Sequence, residues 1–214
     1  MSNQSTATAG PATAGPAHNR STTLVPIQLA VMEAAKAAWE LVGEEHIENF
    51  AVVGGAALLF HGSDNRTEDT DIAVTGESIE KFYQMARNDP RFAEDPYGGP
   101  WRYHSSFDFD VFIDFLDKSG VGGCLHELKG YCMIDGVPIA TLADIAVSKG
   151  TAWLDRRLGK DLDGVDYVLR KMTRTGLDLR ELGEEGKGIL DKLMVKLPPS
   201  EKGRRVIRMI TELL

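Results

Sequence analysis

The pattern of apolar residues changes at residue 140, and that change limits the fold more than any other feature. Up to 140, short apolar runs alternate with glycine-rich breaks. From 141 onward, apolar residues recur every three or four positions, the period of a helix with one buried face. The expected architecture is an α/β head followed by a C-terminal helical part. In the head, Ile27, Leu29, Val31, Ala34, Ala38 and Leu41 fall at helical steps, with Gly43 as a stop. The run 50–53 ends at Gly54-Gly55 and predicts a buried strand, followed by a short helix over 56–61. A second strand is expected over 69–74, a helix over 78–87 with Glu77 near its positive end, and a loop over 88–100. Residues 103–116 contain a long strand, clearest at 111–116. Asp135-Gly136 between 131–134 and 137–140 suits the tight turn of a hairpin. Helices are expected over 141–157, 161–174, 184–196 and 200–213, the first marked by Thr141 with Asp144 three residues later.

Composition narrows the function classes. The 214 residues carry 24 Lys and Arg against 32 Asp and Glu, a net charge of −8. That balance argues against a surface built to wrap duplex DNA or to lie on an anionic membrane, while a nucleotide held through metal ions stays compatible with it. Cys124 and Cys132 are too few for a disulfide framework, so a reducing, cytoplasmic location is the expectation. No apolar run is long enough to span a bilayer. Seventeen of the first 23 residues are Ser, Thr, Ala, Gly or Pro, and ATAGP occurs twice. Such a stretch has little to bury against its chain entropy. The expected organisation is a disordered low-complexity tail at 1–24, an α/β domain at 25–140 and a helical region at 141–214.

Three pieces carry chemistry. Gly54-Gly55 lies between a strand and a helix, where glycines let backbone approach a ligand at the positive end of the helix dipole. Asp69-Thr70-Asp71 opens the next strand, and alternation turns both carboxylates to one side. Two charges about 5 Å apart repel by about 3 kcal/mol at an effective dielectric near 20, a cost most naturally offset by a divalent cation. In the run 107–115, Asp108, Asp110, Phe112 and Asp114 share one face, and Phe109, Val111, Ile113 and Phe115 the other. Asp114 lies deepest in the apolar stretch, where a carboxylate is least expected without a task.

The segment VVGGAALLFHGSDNRTEDTDIAV (52–74) resembles the signature of the DNA polymerase β-type nucleotidyltransferase superfamily, in particular its small stand-alone branch with the abortive-infection toxin-type enzymes. VFIDFL (111–116) resembles the strand that carries the third acid, with Asp114 the best match and Asp110 the fallback. TLADIAVSKGTAWLDRRLGKDLDGVDYVL (141–169) resembles the helical continuation of that branch. The resemblance implies a nucleotidyltransferase-like mixed sheet with flanking helices. It also implies Mg²⁺-dependent (or Mn²⁺-dependent) transfer of a nucleoside monophosphate from an NTP, ATP included, to an acceptor. Asp69, Asp71 and Asp114 would hold the metal and carry the catalysis; Gly54 and Gly55 would cradle phosphates, and Arg66 and Lys149 would be phosphate cations. The acceptor is left open between a protein, a tRNA and a small molecule. One departure is visible: relatives place an arginine two residues before Thr67, where this chain has Asn65, and its arginine stands one later, at Arg66. The alternative is a catalytically inactive module of the same fold that senses nucleotides or binds protein.

The other polar residues have plainer readings. Asp161, Asp163 and Asp166 are helix-start and surface charges. Lys202, Arg204, Arg205 and Arg208 form a solvated helix face. His61 and His104 are local hydrogen-bonding groups, and Trp101, Trp153 and Tyr167 are packing residues. His126 near Cys124 gives two ligands, which do not make a metal site.

Overall fold

A computed structural model describes residues 24–117, 128, 130–180 and 182–214. Residues 1–23 of the expected tail, and the pair Cys124 and His126, lie outside the described residues. The chain enters α1 (Pro26–Val42) with proline in its first turn, where a missing N–H costs nothing. A 3₁₀ turn over Glu44–Asn49 leads into β1 (Phe50–Val52), which is buried throughout. α2 (Gly54–Phe60), β2 (Asp69–Val74) and α3 (Gly76–Ala86) follow. Then come β3 (Phe92–Ala93), β4 (Trp101–His104) and β5 (Asp110–Asp117). The hairpin of β6 (Tyr131–Ile134) and β7 (Val137–Ala140) turns through Asp135 and Gly136, with φ 51° and 79°, the left-handed pair that matches strand twist. Four helices complete the chain: α4 (Leu142–Arg156), α5 (Gly159–Thr175), α6 (Glu184–Lys196) and α7 (Glu201–Leu213).

Among the described residues, seven strands form one mixed sheet in the order β3-β4-β5-β2-β1-β7-β6. β2 runs parallel to β5 and β1 parallel to β7, and the remaining pairs are antiparallel. One face of the centre packs on helices. Val111, Ile113 and Ile72 are essentially inaccessible, and the Thr70 hydroxyl donates to the carbonyl of Val31 in α1 at 3.0 Å. Phe82 of α3 meets Phe92, Trp101 and Phe115 with ring centroids 5.4, 5.4 and 4.7 Å away. Residues one step along β2 and β5 therefore point the other way.

Several boundaries differ from expectation, each for a local reason. α2 starts at Gly54 rather than at 56, so the glycine pair is its first turn. The stretch 88–100 contains the two-residue β3, paired with β4. The long strand expected over 103–116 is two strands joined by a turn in which the Ser105 N–H donates to Phe109 O at 3.0 Å. Asp108 occupies that turn at φ 59°, a conformation aspartate tolerates, so it does not share a strand face with Asp110 and Asp114.

The helical part holds the larger correction. Thr141 caps α4 as expected: its side-chain oxygen accepts the Asp144 N–H at 3.1 Å. But Asp161 and Asp166 are not surface charges; they are 0% and 3% exposed. Asp161 receives Arg156 through Nε at 2.7 Å and Nη2 at 2.8 Å. Asp166 receives Arg205 of α7 at 2.7 and 3.0 Å, and Arg170 one turn along α5. Arg205 is therefore a clamp between α5 and α7 rather than part of a solvated face. Asp163 is exposed and pairs with Lys202. No helix among the described residues is long and apolar enough to cross a membrane.

Candidate functional site

The register between β2 and β5 builds the site. Asp71 lies opposite Asp114, and Asp69 opposite Phe112. Because Thr70 bonds to α1 and Ile113 lies beside it in register, the three acids face away from α1. A carboxylate oxygen from each of Asp69, Asp71 and Asp114 lies within 4.8 Å of the other two. Three hard oxygen donors at that spacing suit a divalent cation.

The electrostatics match an anionic centre. The Asp71 carboxyl is pushed up to about 6 by burial first, then by the charges of Asp69 and Asp114, against the opposing pull of Lys149 and of the Gly55 N–H. Burial and the Asp69 charge also raise the Asp114 carboxyl. The Thr67 hydroxyl donates to Asp69 Oδ1 at 2.6 Å and orients that carboxylate.

The glycine pair serves the acids directly. Gly54 has φ 63°, and a Cβ there would lie 1.9 Å from Asp71 Oδ2. Gly55 donates its N–H toward the Asp71 carboxylate, and a Cβ there would lie 2.5 Å from Thr67 Oγ1. The two positions need glycine for different reasons, the first for conformation and space, the second for space alone.

Lys149 of α4 is not on a solvated face. Its side chain is 13% exposed, with Nζ 3.9 Å from Asp161 Oδ1, and it interacts electrostatically with Asp71. Arg156, at the end of the same helix, is also within the field of Asp71. Sequence reasoning missed Arg156 and Asp161 as neighbours of the site; the five-residue spacing from Arg156 to Asp161 reads as an ordinary helix junction. Arg66 is exposed on the loop before β2 and takes no part in the acid cluster. Asp110 also stands outside that cluster. His104 Nδ1 lies 2.6 Å from its Oδ1, and Arg102 Nη1 lies 4.0 Å from its Oδ2.

An open groove of about 490 Å³ adjoins β5. It is lined by Val25, Pro26, Ile27, Glu68, Phe109, Asp110 and Phe112. Phe112 is 44% exposed and is the register partner of Asp69, so the groove reaches the strand neighbour of that acid.

No protein-family model and no curated protein matches the chain. Solved structures do. An antigenic nucleotidyltransferase-like protein from Paracoccidioides brasiliensis superposes with a TM-score of 0.55 at 15% identity, covering 85% of this chain and 92% of that one. JHP933 from Helicobacter pylori superposes with a TM-score of 0.51 at 13% identity, covering 89% and 93%. At such identities the likeness is one of fold. The mixed seven-stranded sheet, its flanking helices and the C-terminal helices make this a nucleotidyltransferase-like fold with three carboxylates gathered where two parallel strands meet.

Proposed function

We propose that the chain is a metal-dependent nucleotidyltransferase that moves a nucleoside monophosphate from an NTP, ATP among them, to an acceptor hydroxyl. The observation that carries it is the convergence of Asp69, Asp71 and Asp114 beside the first turn of α2, in a fold shared with nucleotidyltransferase-like proteins. Asp69, Asp71 and Asp114 would hold Mg²⁺ or Mn²⁺. When bound, the cation supplies charge neutralisation at the phosphates and a lowered pKa for the attacking hydroxyl.

The chain's own residues do the rest. Gly55 holds Asp71 in place through its N–H. Asp114, raised by burial and by Asp69, stands ready to take the acceptor proton. Lys149, with Arg156 beside it, offsets phosphate charge. The acceptor oxygen bonds to the α-phosphorus, the bond from that phosphorus to the bridging oxygen breaks, and pyrophosphate leaves. The exposed groove along Phe112 gives an acceptor a way in beside Asp69. The acceptor is a protein side chain, a tRNA end or a small molecule; duplex DNA and membranes are poor partners for a chain of net charge −8. The cytoplasm, where Mg²⁺ and NTPs coexist, is the compartment this chemistry fits.

The test is mass spectrometry of a cell extract incubated with the protein, Mg²⁺ and isotope-labelled NTPs. A nucleotidylated product should appear with the native chain and vanish with Asp71→Asn. Absence of product with every NTP, while Mn²⁺–NTP still binds, would leave an inactive nucleotide-sensing module.

A further inference from the structure

A fully buried carboxylate sits behind the site without belonging to it. Asp161 is 0% exposed, in the first turn of α5. Its oxygens accept from Arg156 Nε at 2.7 Å and Nη2 at 2.8 Å, and Lys149 Nζ lies 3.9 Å from Oδ1. Fold stability alone does not call for such a group, because apolar residues of similar volume fill a buried site at least as well as an ion pair does. Its effect on orientation is specific. Pairing through Nε and Nη2 fixes the plane of the Arg156 guanidinium and leaves its Nη1 edge unused by Asp161. Arg156 is 47% exposed while its partner is sealed, so the guanidinium stays accessible to a ligand. The Lys149 stem is held too: a Cβ on Gly164, three residues along α5, would lie 3.3 Å from its Cγ and Cδ. Both cations also lie within the field of Asp71. One helix start thus presents two positive groups together, next to the acids.

We propose that Asp161 is a positioning residue for polyphosphate: without touching the ligand, it holds Lys149 and Arg156 so that both meet the phosphates of a nucleotide at the Asp69, Asp71 and Asp114 centre. This rests on the nucleotidyltransferase reading and deepens it, because it says which part of the helical region serves the phosphates. A chain lacking the carboxylate keeps its metal ligands and loses the alignment of its cations.

The experiment measures two affinities on the full chain: Mn²⁺ alone by electron paramagnetic resonance, and tripolyphosphate at saturating Mn²⁺ by calorimetry. Asp161→Asn should weaken tripolyphosphate at least tenfold and leave Mn²⁺ within about twofold. Asp166→Asn is the control. That acid is also buried on α5, but its partners are Arg205 and Arg170, so it should lose thermal stability and keep both affinities. In an Arg156→Gln background, the effect of Asp161→Asn should shrink, as expected for a residue acting through another. Should Asp161→Asn fail to fold, Arg156→Gln alone must still weaken tripolyphosphate, and wild-type affinity in it overturns the proposal. Unchanged or tighter tripolyphosphate binding in Asp161→Asn, or an equal loss in Asp166→Asn, overturns it as well. A native chain that binds Mn²⁺ but no tripolyphosphate removes this proposal together with the phosphate part of the function, whereas a loss confined to Mn²⁺ indicts the metal centre instead.

Discussion

Replacing Asp71 by asparagine should make the metal-free protein more stable. The Asp71 carboxyl titrates near 6 in the folded chain, against 3.8 for the free group, mainly because it is buried and faces Asp69 and Asp114. Between those two values the folded state binds a proton that the unfolded state has released. Stability therefore falls as pH rises from about 4 to about 6, and the full penalty is present at pH 7. A difference of about 2 units at about 1.4 kcal/mol each is about 3 kcal/mol. Asparagine keeps the shape and can still accept the Gly55 N–H, but carries no charge to desolvate or repel. In chelator at pH 7, Asp71→Asn should gain between about 1 and 3 kcal/mol. At about 2–4 °C per kcal/mol for a chain of this size, that is a rise in Tm of at least a few degrees, and it should disappear near pH 4. With Mn²⁺ the order reverses: the native chain gains about 4.1 kcal/mol at a thousandfold excess over Kd, and the variant gains little. Differential scanning calorimetry at pH 4 and 7, with chelator and with Mn²⁺, reads all four conditions. A variant less stable than the native chain in chelator at pH 7 would refute the claim that these carboxylates are held in mutual conflict.

Other outcomes follow from the same geometry. Gly54→Ala should abolish measurable Mn²⁺ binding and cost more than about 1 kcal/mol, because its Cβ would fall 1.9 Å from Asp71 Oδ2 at a φ of 63°; Mn²⁺ titration with a melting curve checks both. Mn²⁺ affinity should drop steeply below about pH 6, as protons compete for Asp71, and a flat profile from pH 7.5 to 5 would remove Asp71 from the ligand set. Arg205→Ala should destabilise by about 1–3 kcal/mol with Mn²⁺ affinity intact, since it leaves buried Asp166 to Arg170 alone; urea titration measures the loss.

How much of this was legible in the chain depends on the range of the cause. The carboxylate face of β5 and its apolar back could be read because alternation is a local rule, and Val111 and Ile113 are buried as it requires. The β6–β7 turn and the Thr141 cap were legible for the same reason. The break between β4 and β5 was not, because it depends on Asp108 entering the left-handed region in a turn whose Asp108 and Phe109 N–H groups donate to Ser105. The burial of Asp161 and Asp166 was least visible. An acid near a helix start reads as a dipole partner, and only the packing of α4 and α7 against α5 supplies the arginines that allow it inside. The glycine pair fell between these cases: its place before a helix was plain, but the need to clear Asp71 and Thr67 appears only when β2 folds back beside α2.

What keeps the three acids together is the side of the sheet that carries none of them. Strand pairing by itself tolerates a shift of register, and a shift of one residue would turn every side chain of β5 to the opposite face. Asp114 would then point at α3 and Phe115 at the carboxylates. Phe115 is held against Phe82 with ring centroids 4.7 Å apart, and Trp101 packs on the same ring at 5.4 Å, while Trp101 itself pairs with Ile113 across β4 and β5. Moving β5 would expose this cluster and bury a carboxylate, and together those changes cost more than the repulsion within the cluster relieves. The chain can therefore hold like charges within 4.8 Å before any cation arrives. The stability that permits this comes from aromatic packing one strand face away, so large-to-small changes at Phe82 or Trp101 should weaken Mn²⁺ binding although neither residue lies on the acid face.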